Sequence, residues 1–187
     1  MFNESVRGFL KKYSDGAIVS HTVNIIGMGE SSVAEEIEDM FDAENPTVAP
    51  YAKSGEVRLR ITAKAETADE ADRMCAPVVD EICSRLGDVV YGTDMNSIEE
   101  RVVALLKEKG KKIATAESCT AGYIPKRLTD IPGASEVFEC GIVSYSNDIK
   151  TKLLGVSLKT LDTYGAVSEQ TAREMALGAK RVSGADI

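Results

Sequence analysis

The sequence predicts a mixed α/β protein, a small α+β unit followed by a three-layer α/β unit, and three observations carry that reading. With 187 residues and 43% hydrophobic content, the chain can bury a sizeable core as one large domain or two small ones. Up to about residue 95, β-type and helical runs suggest strands on one side and helices on the other, whereas from Ser97 onward helix and strand patterns alternate. The expected division is therefore 1–95 and 96–187.

In the first unit, "SHTVNIIGMGES" reads as a strand and a turn. "SVAEEIEDMF" then sets Val33, Ile37 and Met40 at helical spacing behind the caps Ser31 and Ser32. "TVAPYAKSGEVRLRITAKAE" gives two β-type runs around a turn at residues 53–56, with Val57, Leu59 and Ile61 on one face, which predicts a hairpin. "TADEADRMCAPVVDEICSRLG" is a helix capped by Thr67, acidic in its first turn and stopped at Gly87, with Pro77 a point of expected kinking or splitting. "DVVYGTDMNS" looks like the junction, because Gly92, Thr93, Asp94 and Asn96 favour turns.

In the second unit, "SIEERVVALLKEKG" is an amphipathic helix capped by Ser97, with Glu100 at the capping-box position and Gly110 as its stop. "KIATAE" follows as a strand, "CTAGYIPKRLTDIPG" as a helix and turn, and "SEVFECGIVSYS" as a strand. "NDIKTKLLG" and "SEQTAREMALGAKRVSG" are helices. The final "ADI" resembles the start of another strand, so the sheet is expected to be incomplete. An incomplete sheet leaves an open edge and apolar surface, from which a homo-oligomer is expected.

Composition excludes several function classes. The formal charge of −8 opposes a phosphate backbone, which disfavours nucleic acid as a partner. No apolar run approaches the ~20 residues of a membrane span, and "MFNESVRGFLKKYS" lacks a signal-peptide core, so a cytoplasmic protein without membrane association is expected. Cys75, Cys83, Cys119 and Cys140 show no zinc-type spacing and the chain has one histidine, so no metal site is expected. "GMGESS" carries Ser32 where a dinucleotide fingerprint needs its third glycine, and no G-x-x-G loop with basic flanks suggests RNA clamping. His21 has no carboxylate pattern around it in sequence and reads as a strand or surface histidine.

The chemistry concentrates in "KKIATAESCTAGYIPKRL". A residue between a strand's carboxyl end and a helix sits where α/β sheets bind ligands, near unpaired N–H groups and the positive end of the helix dipole. Ser118 occupies such a position and could serve as a helix cap or as a nucleophile. A nucleophilic serine needs a base, and with no histidine in this unit a lysine, a tyrosine or a carboxylate must supply it. In "CGIVSYSNDIKTKLLG", Tyr145 ends a strand and Asn147 can cap the next helix, which puts Lys150 in its first turn. A solvated helix lysine is the plain alternative. A Cys119 thiolate would itself need a neighbouring base or cation.

"TAESCTAG", together with "LTDIPGASEVFECGIVSYSNDIKTKLLGV" and "GAVSEQTAREMALGA", closely resembles the C-terminal nicotinamide-nucleotide amidase domain of the competence/damage-inducible CinA family, from roughly Ser97 to Ile187. Residues 1 to about 95 resemble that family's KH-type middle domain, on general pattern and on "HTVNIIGMGES". The resemblance implies hydrolysis of nicotinamide mononucleotide to nicotinate mononucleotide and ammonia, with no cofactor and no metal. It also implies Ser118 as nucleophile, Lys150 as general base and Tyr145 in support. Glu117, Cys119, Thr120, Ala121 and Gly122 would contact substrate, with backbone N–H groups at Cys119 to Ala121 offered to the oxyanion. The family also has an N-terminal molybdopterin-biosynthesis-like domain and a glycine-rich segment beyond the equivalent of Ile187, neither of which these residues contain. A truncated member of doubtful activity is therefore expected, and two other readings stay open: a non-catalytic association module and a hydrolase using Cys119.

Overall fold

In the computed structural model, which describes Phe9, residues 16–53 and residues 55–187, the first unit (to Asn96) is built around strand β1 (Ala17–Ile26). β1 pairs antiparallel with β3 (Glu56–Ala65) and β4 (Val90–Thr93), and β3 pairs with β2 (Thr47–Lys53), giving the order β2-β3-β1-β4. Val23 lies opposite Leu59 and Ile25 opposite Val57, so period-2 alternation brings the apolar residues of both strands to one face. Helix α1 (Glu30–Glu36) adds Val33, and α2 (Ala68–Leu86) lays Ala71, Cys75, Ile82 and Leu86 into the same buried cluster. Lys53 faces Glu56 across the hairpin, while Ser54 of the expected turn lies outside the described residues.

Three expectations need correction here. α1 starts at Glu30 with Gly29 in the cap position and no side-chain cap, so Ser31 and Ser32 lie inside the helix. Gly27, at φ 79, turns the chain soon after β1 and starts the helix ahead of the serines. α2 runs unbroken through Pro77, which sits on the solvent face, where the Arg73 carbonyl left without an intrahelical donor can be hydrated. Within the expected junction, residues 90–93 form a strand, because Val90 and Tyr91 can complete the free edge of β1, and the boundary between the units falls just beyond it, at Asn96.

His21 is bonded at both ring nitrogens, to Asp94 at 2.6 Å through Nδ1 and to Asp72 at 2.8 Å through Nε2. Carboxylates accept and do not donate, so only the imidazolium makes both bonds. Asp94 also accepts the Thr22 amide at 2.7 Å and holds a left-handed backbone at φ 53. These carboxylates come from α2 and from the turn after β4, 51 and 73 residues away in sequence. The Asp94 bond, then the Asp72 bond, raise the His21 pKa above its ordinary value. A group raised on folding stabilises fully below its unfolded value and loses that contribution as pH rises through the folded one. The chain should thus lose thermal stability as pH climbs from about 6.5 through that raised value, and His21→Gln should flatten this limb in melts across pH.

In the second unit, β5 (Ile113–Glu117) and β6 (Phe138–Val143) form a parallel pair. Both faces are covered. Val103 and Leu106 of α3 (Ile98–Glu108) cluster with Leu128 of α4 (Tyr123–Thr129) and with Ile113 and Phe138. A separate cluster unites Leu154 of α5 (Asn147–Leu154), Leu161 of α6 (Leu158–Tyr164), and Met175 and Ala179 of α7 (Glu169–Ser183) with Ala116 and Ile142. The strand pair thus lies between two helical clusters, with β5 half-buried or buried along its length and β6 alternating half-buried and exposed residues. The "ADI" segment adjoins β5: Asp186 and Ile187 donate to the Lys112 carbonyl, and Ala114 donates to that of Ile187. α6, capped by Ser157, is not predicted from the sequence pattern, since "LKTLDTY" is too short for apolar periodicity to declare itself.

α7 passes close to the end of α5 at Gly178. A Cβ there would lie 2.1 Å from the Leu154 carbonyl oxygen, a backbone atom that cannot swing aside. An alanine normally improves a helix by about 1 kcal/mol over glycine. Gly178→Ala should reverse that sign and cost about 2 kcal/mol in urea denaturation, because the helices must separate.

Candidate active site

The last bond of the β5–β6 ladder region runs from the Ser144 amide to the Glu117 carbonyl at 2.9 Å. Beyond it the two chains diverge, and the crevice between strand ends is where α/β sheets place ligands. Ser118 leaves on one side, and Ser144 and Tyr145 on the other. The chain then enters α5, whose cap is Ser146, accepting the Ile149 amide at 3.3 Å, rather than the expected Asn147. Asn147 is the first helical residue, so Lys150 still falls in the first turn and points back toward the strand ends.

Lys150 is only 1% exposed and is among the largest fully buried side chains. Its Nζ lies 2.7 Å from the Ser144 carbonyl, 3.0 Å from the Tyr145 carbonyl and 3.0 Å from Ser118 Oγ. An ammonium can donate to all three acceptors. A neutral amine can donate to the two carbonyls and turn its lone pair to the Ser118 hydroxyl. The carbonyls thereby fix the nitrogen in reach of one proton, that of Ser118, in the geometry general-base catalysis requires.

Ser118 is not the helix cap. The backbone after it turns first, with the Ala121 amide donating to the Ser118 carbonyl at 3.1 Å, Ala121 at φ 50 and Gly122 at φ 93, and α4 starts only at Tyr123. The capping bonds come from Glu117, whose carboxylate accepts the amides of Gly122 at 3.2 Å, Tyr123 at 3.0 Å and Ile124 at 3.1 Å. With a relative exposure of 4% and three donors on its oxygens, Glu117 serves the backbone rather than a substrate. Three of the N–H groups at this helix start, expected to be unpaired, are thereby occupied. Of the proposed oxyanion donors, Ala121 spends its amide within the loop, whereas the amides of Cys119 and Thr120 make no hydrogen bond among the described residues.

The remaining candidates are placed as follows. Cys119, Thr120 and Ala121 are exposed at the crevice and Gly122 is half-buried. Tyr145 contacts Lys150 through its carbonyl, while the residue itself is 77% exposed, so its ring takes no part in the Ser118–Lys150 contact. Ser144, missed from the sequence, supplies the shortest bond to Lys150; its position directly after a strand and beside Tyr145 is the signal that marks it. No group of three or more His, Cys, Asp or Glu side chains suited to a metal occurs among the described residues. Nor is any described helix long and apolar enough to cross a membrane.

Residues 95–187 match the family model described as the CinA C-terminal domain, and residues 20–92 match that of the damage-inducible protein CinA KH domain. The chain is 55% identical over its full length to a competence-damage inducible protein of Clostridium beijerinckii, covering 46% of that protein. It is 48% identical to a CinA-like protein of Desulfovibrio desulfuricans, covering 44% of it. The chain thus spans about half the length of the curated relatives it matches. Among solved structures, competence/damage inducible protein CihA from Agrobacterium tumefaciens matches 48% of this chain and 54% of its own, at 46% identity and a TM-score of 0.47.

The cap assignment is testable. Ser146→Ala should cost about 1 kcal/mol in equilibrium denaturation, the usual value of an N-cap. Asn147→Ala, one residue into α5, should change stability by only a few tenths of that.

Proposed function

We propose that this chain, which belongs to the CinA family, carries a serine–lysine amidase site that hydrolyses nicotinamide mononucleotide to nicotinate mononucleotide and ammonia. The observation that carries this reading is the buried Lys150 Nζ, 3.0 Å from Ser118 Oγ and fixed by two backbone carbonyls. A surface lysine would have no need of such a cradle, and a capping serine would have no need of the lysine.

The chemistry follows from the geometry. Lys150 takes the hydroxyl proton as Ser118 Oγ attacks the carboxamide carbon. The amides of Cys119 and Thr120 are the unspent donors nearest in sequence to the nucleophile, and they receive the charge that develops on the carboxamide oxygen. Lys150 returns the proton to the departing nitrogen, which leaves as ammonia. Water then attacks the acyl-enzyme, with Lys150 acting as base a second time. The pyridine carboxamide is the substrate class implied by the family's amidase motif, and the open crevice between strand ends gives a planar ring access to Ser118.

The test is ammonia release from nicotinamide mononucleotide, measured on this chain and on a version extended to the length of its relatives. Ser118→Ala and Lys150→Met should each abolish turnover in whichever version is active while the protein stays folded. Cys119→Ser should keep substantial activity, because its backbone amide is unchanged. Full activity in Ser118→Ala, or complete loss in folded Cys119→Ser, would move the nucleophile away from Ser118.

A further inference from the structure

We propose that Glu117 is a positioning residue of this site, anchoring the backbone on both sides of Ser118 so that the amides of Cys119 and Thr120 stay free to receive an oxyanion. The inference rests on the reading of Ser118 as nucleophile. It starts from an anomaly: a glutamate in a strand, 4% exposed, with no lysine or arginine within ion-pair distance among the described residues. What it has instead is backbone on either side of its neighbour. Its carbonyl accepts the Ser144 amide at 2.9 Å, holding the start of the loop to β6. Its carboxylate accepts the amides of Gly122, Tyr123 and Ile124 at 3.0–3.2 Å, holding the end of the loop to the first turn of α4. Ser118 to Ala121 therefore form a short arch with both feet on one residue.

The arch has a cost that explains why a charged anchor is used. Ala121 holds φ 50, a left-handed conformation that a side chain disfavours, and Gly122 holds φ 93. Relaxing Ala121 would let the chain run into α4 without the intervening turn, and the unpaired amides of Cys119 and Thr120 would then be drawn into the helix start instead of standing in a turn of their own. A carboxylate meeting three amides at a helix start makes charge-assisted bonds in line with the helix dipole, strong enough to hold that turn. A neutral side chain of the same size cannot do this. Glutamine offers one acceptor oxygen in place of two, and its amide group would meet an N–H donor where the second oxygen was.

An alkyl fluorophosphonate tests this on the full chain. Ser118 Oγ forms a bond to phosphorus as the P–F bond breaks, the hydroxyl proton passes to Lys150, and fluoride leaves. The phosphoryl oxygen then occupies the place of the oxyanion. The maximal labelling rate, kinact, reads that geometry, and KI reads binding of the reagent. Glu117→Gln should lower kinact by about tenfold to a hundredfold, the scale of a roughly 1 Å misplacement at a reacting centre, with KI and the near-ultraviolet circular dichroism unchanged. Glu117→Asp keeps both oxygens on a shorter stem and should fall between the two, which also supplies a folded variant if glutamine is not tolerated. A folded variant with wild-type kinact, or with KI alone altered, overturns the positioning role while leaving Ser118 as nucleophile. Absence of labelling in wild type, or labelling that persists in Ser118→Ala, removes the nucleophile and this proposal with it.

Discussion

The burial of one lysine sets the terms for the second unit. Lys150 is 1% exposed, so each of its N–H donors needs an acceptor that secondary structure has not already used. The end of a parallel strand pair is a place where such acceptors exist: β6 stops at Val143, and the carbonyls of Ser144 and Tyr145 come free of the ladder just where Nζ arrives. The third acceptor is the Ser118 hydroxyl. Strand length, the start of α5 and the position of the serine are thus one constraint, because moving any of them would leave a buried polar group unpartnered.

A second layer supports that arrangement without touching it. Ser146 caps α5 and fixes which residue occupies the first turn, and Gly178 lets α7 close on the end of α5. On the other side of the crevice, Gly141 of β6 allows close approach of α4, since a Cβ there would lie 2.5 Å from Pro125 Cγ. The glycines carry no chemistry. They let backbone come close enough for the neighbouring elements to pack tightly around the Ser118–Lys150 contact.

Much of this was legible in the sequence, and the failures have physical causes. A hydroxyl cluster directly after a strand, and a lysine one turn into the next helix, mark Ser118 and Lys150 as candidates, but local pattern leaves a capping serine and a solvated lysine equally open, and it is the family resemblance that singles out the pair. Capping differs from expectation at two helix starts. At α1 a glycine turns the chain before the expected serine caps can act, and at α5 Ser146 and Asn147 are both good caps, so composition cannot choose between them. Glu117 reads as a strand residue, and its tie to amides five to seven residues ahead depends on the left-handed turn at Ala121, which alanine gives no reason to expect. The carboxylates around His21 were invisible for a different reason, since sheet pairing and the packing of α2 bring them together from distant segments.

The concealment of Lys150 also makes it an internal clock for chemical footprinting. Lys152, two residues further along α5, has a side chain 69% exposed, so an amine-acylating reagent meets it at once. Lys150 meets the reagent only when the chain on either side of the crevice parts. The lag between acylation at these two positions on the same helix therefore measures how often the crevice opens, without a substrate and without a mutation.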